Sequence, residues 1–81
     1  MLRSNAARHL SSLEPGARGT VARVLREKHD RAERLASLGV TPGASIHVLQ
    51  RFPGVVFMCD QTELAVEPAV AEAILVDVDP A

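Results

Sequence analysis

Five short runs of apolar and β-branched residues, each bounded by turn residues, set the pattern of this chain: Thr20-Val21-Ala22-Arg23-Val24-Leu25, Ala44 to Gln50, Val55-Val56-Phe57-Met58-Cys59, Glu63-Leu64-Ala65-Val66 and Ile74-Leu75-Val76-Asp77-Val78. Each has the length and the β-former content of a strand. In the second, Ile46 and Val48 share one face and His47 takes the other, which predicts a half-buried strand with His47 toward solvent. In the first, apolar side chains fall on both faces, as they do in a strand covered on both sides.

The punctuation between the runs is equally specific. Glu14-Pro15-Gly16 and Thr41-Pro42-Gly43 both have the type II turn signature, with proline presetting the first turn dihedral and glycine supplying the positive φ of the second. Phe52-Pro53-Gly54 breaks the chain again, Asp60-Gln61-Thr62 reads as a tight loop, and Glu67-Pro68 opens one helical turn through Ala73 with proline at its favoured first position.

Between the two Pro-Gly turns, Asp30 followed by Glu33 has the form of a helix start with a capping-box carboxylate, and the signals predict a helix from about Asp30 to Leu38. Leu35 and Leu38, with Ala32 and Ala36 beside them, give a narrow stripe facing the core and leave Arg31 and Arg34 toward water. Gly39 falls where a left-handed C′ residue belongs, and Val40, at C″, is placed to touch Leu35 in a Schellman closure. Five strands and one proper helix predict a mainly β chain with one short α-helix, folded as a small five-stranded β-barrel.

Composition narrows this reading. With 81 residues the chain has room for one core, which we place in residues 10–79, with residues 1–9 as a flexible N-terminal extension. That core is aliphatic, because the aromatic residues are only Phe52 and Phe57. No apolar run approaches the length of about 18 residues that crosses a bilayer, so a membrane connection runs through a partner. Cys59 is the one cysteine, which excludes an intrachain disulfide and points to a reducing cytoplasm. Arg3 and Arg8 near the start faintly resemble an organellar presequence, but the apolar stretch of a secretory signal is missing, and a frayed end is the simpler reading.

A formal net charge of −1 conceals an uneven distribution: residues 1–34 carry +4 and residues 35–81 carry −5. The basic side is concentrated in Arg23, Arg26, Lys28, Arg31 and Arg34. A solvated face partly neutralised by Glu27, Asp30 and Glu33 is the plain reading of such a run. As a contact surface, Arg26, Arg31 and Arg34 are the candidate partner-binding residues. A nucleic-acid partner is not expected, since stacking aromatics are absent from this stretch.

Nothing points to catalysis: there is no glycine-rich phosphate loop and no nucleophile at a recognisable spacing from a base, so no catalytic residue and no cofactor are assigned. His9, His29 and His47 fall in three different elements, and no pair of them or with Cys59 has the close spacing of metal ligands, so no metal site is assigned. Cys59 reads as a small buried hydrophobe at a strand end.

Leu13, Pro15, Gly16, Gly19 and Val21, then Arg34-Leu35, Leu38-Gly39-Val40 and Thr41-Pro42-Gly43, then Leu64-Ala65-Val66 and Ile74 to Val78 together resemble the FeoA family of small SH3-like proteins, over Leu10 to Val78. The departure is at Asp60-Gln61-Thr62, where many relatives carry glycine. The resemblance implies an SH3-like barrel and a non-enzymatic accessory role in bacterial ferrous iron uptake. It also implies a partner, the cytoplasmic part of the ferrous iron membrane transporter, and a cytoplasmic location beside it. Two alternatives stand next to it. Gly16 to Val21 is also similar to the KOW motif of nucleic-acid-binding SH3-like domains. The same domain type also ends iron-dependent repressors, which suggests a metal-sensing module, although no helix-turn-helix precedes the barrel here.

Overall fold

The computed structural model describes residues 7–25 and 31–80. Six antiparallel strands form one sheet: β1 (Arg8–His9), β2 (Arg18–Val24), β3 (Ser45–Gln50), β4 (Val55–Cys59), β5 (Thr62–Val66) and β6 (Ile74–Val78), in the order β1-β6-β2-β3-β4-β5. A 3₁₀ turn at Leu10–Ser12 and the helices α1 (Arg31–Ser37) and α2 (Pro68–Ala71) connect them. The five strands read from the sequence are all present and the chain is mainly β. The sixth, β1, is a two-residue pairing of Arg8 with Val76 and His9 with Leu75, too short to leave a periodic signal.

The sheet bends where its longest strands are irregular. The register slips between Val21 and Arg23 in β2 and between Val48 and Gln50 in β3, and such bulges kink a strand and sharpen its twist. Curved in this way, the one sheet encloses a core of Leu10, Leu13, Val21, Leu35, Val40, Ala44, Ile46, Val48, Val55, Phe57, Cys59, Ala71, Ile74 and Val76. No polar or charged residue is buried among the described residues. Phe57 fills the centre, fully enclosed; burial of such a side chain contributes about 1.5–3 kcal/mol.

Both Pro-Gly turns close as their residues dictate. The Ala17 amide donates to the Glu14 carbonyl at 3.0 Å and the Ala44 amide to the Thr41 carbonyl at 2.9 Å, around Gly16 and Gly43 with φ of 95° and 94°. The first turn is then hung on β3, the Gly16 amide reaching the Val48 carbonyl and the Val48 amide the Ala17 carbonyl. At Gly19 the demand is for space: a Cβ there would collide with the Asp77 carbonyl oxygen and lie 2.9 Å from Val76 Cγ1, so only glycine lets β2 approach β6.

Helix α1 ends in the Schellman closure expected of Leu35 to Val40. The Val40 amide donates to the Leu35 carbonyl and the Gly39 amide to the Ala36 carbonyl, with Gly39 at φ 97°. Leu38 corrects the stripe read from the sequence: it is 46% exposed. The helix stops at Ser37, so Leu38 sits where the chain turns away, and the apolar contact is made by Leu35 and Val40 instead. The proposed cap at Asp30 lies outside the described residues.

Candidate functional site

Two surface features stand out on this frame, one basic and one apolar. Of the candidate partner-binding residues, Arg31 opens α1 and Arg34 lies in its last turn with its side chain exposed. A cation in the last helical turn is favoured there by the helix dipole. Arg26 lies outside the described residues, as do Lys28 and His29. Arg23, on β2, is exposed.

The apolar feature is the turn between β3 and β4, which the sequence marked only as a break. Phe52 stands at its tip 82% exposed, with Leu49 in the β3 bulge also exposed. The base of this turn is braced. Gln50 Nε2 donates to the Gly54 carbonyl at 3.1 Å, and Arg51 Nη1 donates to Glu14 Oε2 at 2.9 Å, tying it to the first Pro-Gly turn. The Arg51–Glu14 pair is itself open to water and adds at most about 1 kcal/mol.

The histidines do not converge. His9, on β1, donates from Nδ1 to the Glu72 carbonyl at 2.6 Å, and His47 is half-buried on β3, less open than its polar face suggested. No group of three metal-ligating side chains forms among the described residues. Cys59 is buried at the end of β4, with Sγ 3.4 Å from the Gly39 carbonyl, and burial first, then the neighbouring Asp60 charge, pushes its thiol pKa up. Such a thiol is held protonated and unreactive. An open groove of about 470 Å³ lies between Gly16–Arg18 and Val78–Pro80, with Arg18 and Asp79 as its charged lining residues.

The loop that departs from the family pattern is well formed. Asp60 takes φ 55°, a conformation that Asp tolerates better than most side chains, and its Oδ1 accepts from the Ser45 amide at 3.0 Å. The carboxylate therefore fastens the β4–β5 turn to the start of β3, a contact glycine could not make.

No helix among the described residues is long and apolar enough to cross a membrane. A comparison with curated protein sequences finds no significant match. Among solved structures, an iron uptake regulatory protein FeoA is 28% identical over 91% of this chain and 99% of its own, with a TM-score of 0.81. The FeoA protein of Chlorobium tepidum is 32% identical over 89% and 70%, with a TM-score of 0.78. The T. acidophilum IdeR is 26% identical over 98% of this chain but only 37% of its own, with a TM-score of 0.83, so the likeness there is to one domain of a longer protein. The solved FeoA structure of Stenotrophomonas maltophilia, an SH3 domain protein 19% identical with a TM-score of 0.76, shares the fold. The FeoA domain model matches residues 8–78, nearly the whole described structure, so the chain belongs to the FeoA family.

Proposed function

We propose that this protein is a non-enzymatic accessory component of bacterial ferrous iron uptake that binds the cytoplasmic part of the ferrous iron transporter and modulates its activity or assembly. The observation that carries the reading is the FeoA match over residues 8–78. The surface is compatible with it: Arg34 on α1 offers a cation to an acidic partner, and the braced Phe52 offers an apolar anchor of the kind that dominates protein interfaces. Arg26 and Arg31 complete the proposed basic contact.

Calorimetric titration of the chain into the purified cytoplasmic GTP-binding domain of the transporter from the same cell, with and without nucleotide, tests this. Saturable binding that weakens in the double variant Arg31→Glu, Arg34→Glu, with folding intact, is the expected result. Absence of binding overturns the choice of partner, and unchanged affinity in the double variant removes the arginines from the interface.

A further inference from the structure

The sheet ends unequally. At one side it stops with the two residues of β1, but at the other it stops with β5, five residues in regular register with β4 from Val55↔Val66 to Cys59↔Thr62. The Asp60 amide donates to the Ser45 carbonyl, so the even-numbered residues of β4 bond toward β3. In an antiparallel ladder alternate residues bond to opposite neighbours. Thr62, Leu64 and Val66 therefore bond inward to β4, and the N–H and C=O groups of Glu63 and Ala65 point outward. Among the described residues nothing pairs with them. Sheet edges are commonly blunted by a bulge, a proline or charged side chains, lysine above all; β5 has no bulge, proline or lysine, and its one charge is Glu63.

We propose that β5 is a self-association edge, and that two copies of this chain pair antiparallel through it about a two-fold axis at Leu64. The side chains select this register. Centred on Leu64, each Glu63 faces Ala65 of the second copy, and the outward groups of both residues exchange their hydrogen bonds. Centring on Glu63 would set the two carboxylates face to face, and centring on Ala65 would set each Glu63 opposite Glu67, both of them like-charge pairings that destabilise a sheet. The Leu64 register instead brings together two leucines in the closer, non-hydrogen-bonded type of pair, on the side of β5 where Leu64 and Val66 already pack against the core. Glu63 and Ala65 are exposed on the other side. The product is a continuous sheet across the two copies, formed with no change in either fold.

Sedimentation velocity of the whole chain from micromolar to millimolar concentration tests this, together with amide exchange at Glu63 and Ala65. The expected result is a concentration-dependent dimer in which those two amides gain protection. Ala65→Glu, at an exposed position, sets a carboxylate opposite each Glu63 and weakens the dimer by roughly 2- to 30-fold, since two symmetry-related pairs are altered. Ala65→Lys sets an ammonium opposite each Glu63 and tightens the discrete dimer with its protected amides, which the open-ended aggregation of a misfolded chain does not imitate. A chain that stays monomeric throughout, with Ala65→Lys also monomeric, overturns the proposal. So does a dimer indifferent to both substitutions.

Discussion

The amide of Val40 closes on the carbonyl of Leu35 at 2.9 Å, and the two side chains meet in the core at 1% and 3% exposure. Between them Gly39, at φ 97°, makes the reversal, with nothing within 4 Å of where a Cβ would stand. The obstacle to a side chain here is backbone conformation, not space. Gly39→Val destabilises the domain by about 1 kcal/mol or more, because a β-branched residue resists positive φ. A urea unfolding curve with an unchanged slope and a lowered midpoint is the expected reading, and an unchanged midpoint would contradict the closure.

Gly19 presents the opposite case. Its backbone is ordinary, but the Asp77 carbonyl and Val76 side chain occupy the room a methyl group would need. Gly19→Ala forces β2 and β6 apart and costs about 1–3 kcal/mol, the range for overpacking. Chemical shift changes confined to the β2–β6 pairing, seen by NMR, would locate the strain.

These two glycines show how the fold was legible. Turns, the Schellman closure and the five strands follow from residue types whose conformational demands are local, so a linear reading found them. Gly19 was recognised as part of a motif, but its reason, a carbonyl on a strand nearly sixty residues away, is tertiary. Helical spacing points Leu38 inward only if it is carried one residue past Ser37, where the helix ends. For the surface, the charge run marks Arg31 and Arg34 as candidates, and the residue pattern puts Phe57 in a strand and Phe52 in a turn. It does not say that the strand encloses the one ring fully while the turn holds the other out in the open. Which of two aromatics the core takes depends on which face the strand presents, and Phe52 belongs to no strand.

Phe52→Ser therefore leaves stability within about 0.5 kcal/mol of the parent, as surface substitutions do. If Phe52 anchors the transporter interface, the same variant loses most of the calorimetric signal with the cytoplasmic domain. Retained affinity would assign the exposed ring no part in docking.

Cys59 gives the domain a dependence on alkaline pH. Its thiol pKa is raised in the folded state by burial and by Asp60, so the folded chain holds the proton more tightly than the unfolded one. That contribution to stability is complete below the unfolded value, about 8.5, and is lost as pH rises through the folded value. Thermal melts from neutral to alkaline pH should fall more steeply for the parent than for Cys59→Ala. Native-state alkylation should be slow at neutral pH. Equal slopes would show that the thiol does not titrate differently in the two states.

Among the described residues, helix α1 is attached to the body by few contacts. Among its described side chains only Leu35 is buried, and beyond that the closure at Gly39 and Val40 holds it. Burial of one leucine is worth about 1.5–3 kcal/mol, whereas a central strand cannot leave without the whole sheet opening. The attachments are thus unequal: the sheet opens only with global unfolding, and the arm is the part that costs least to open. An arm with so small an opening cost can adapt to what it grips. The face chosen for its charge is then the compliant part of the protein.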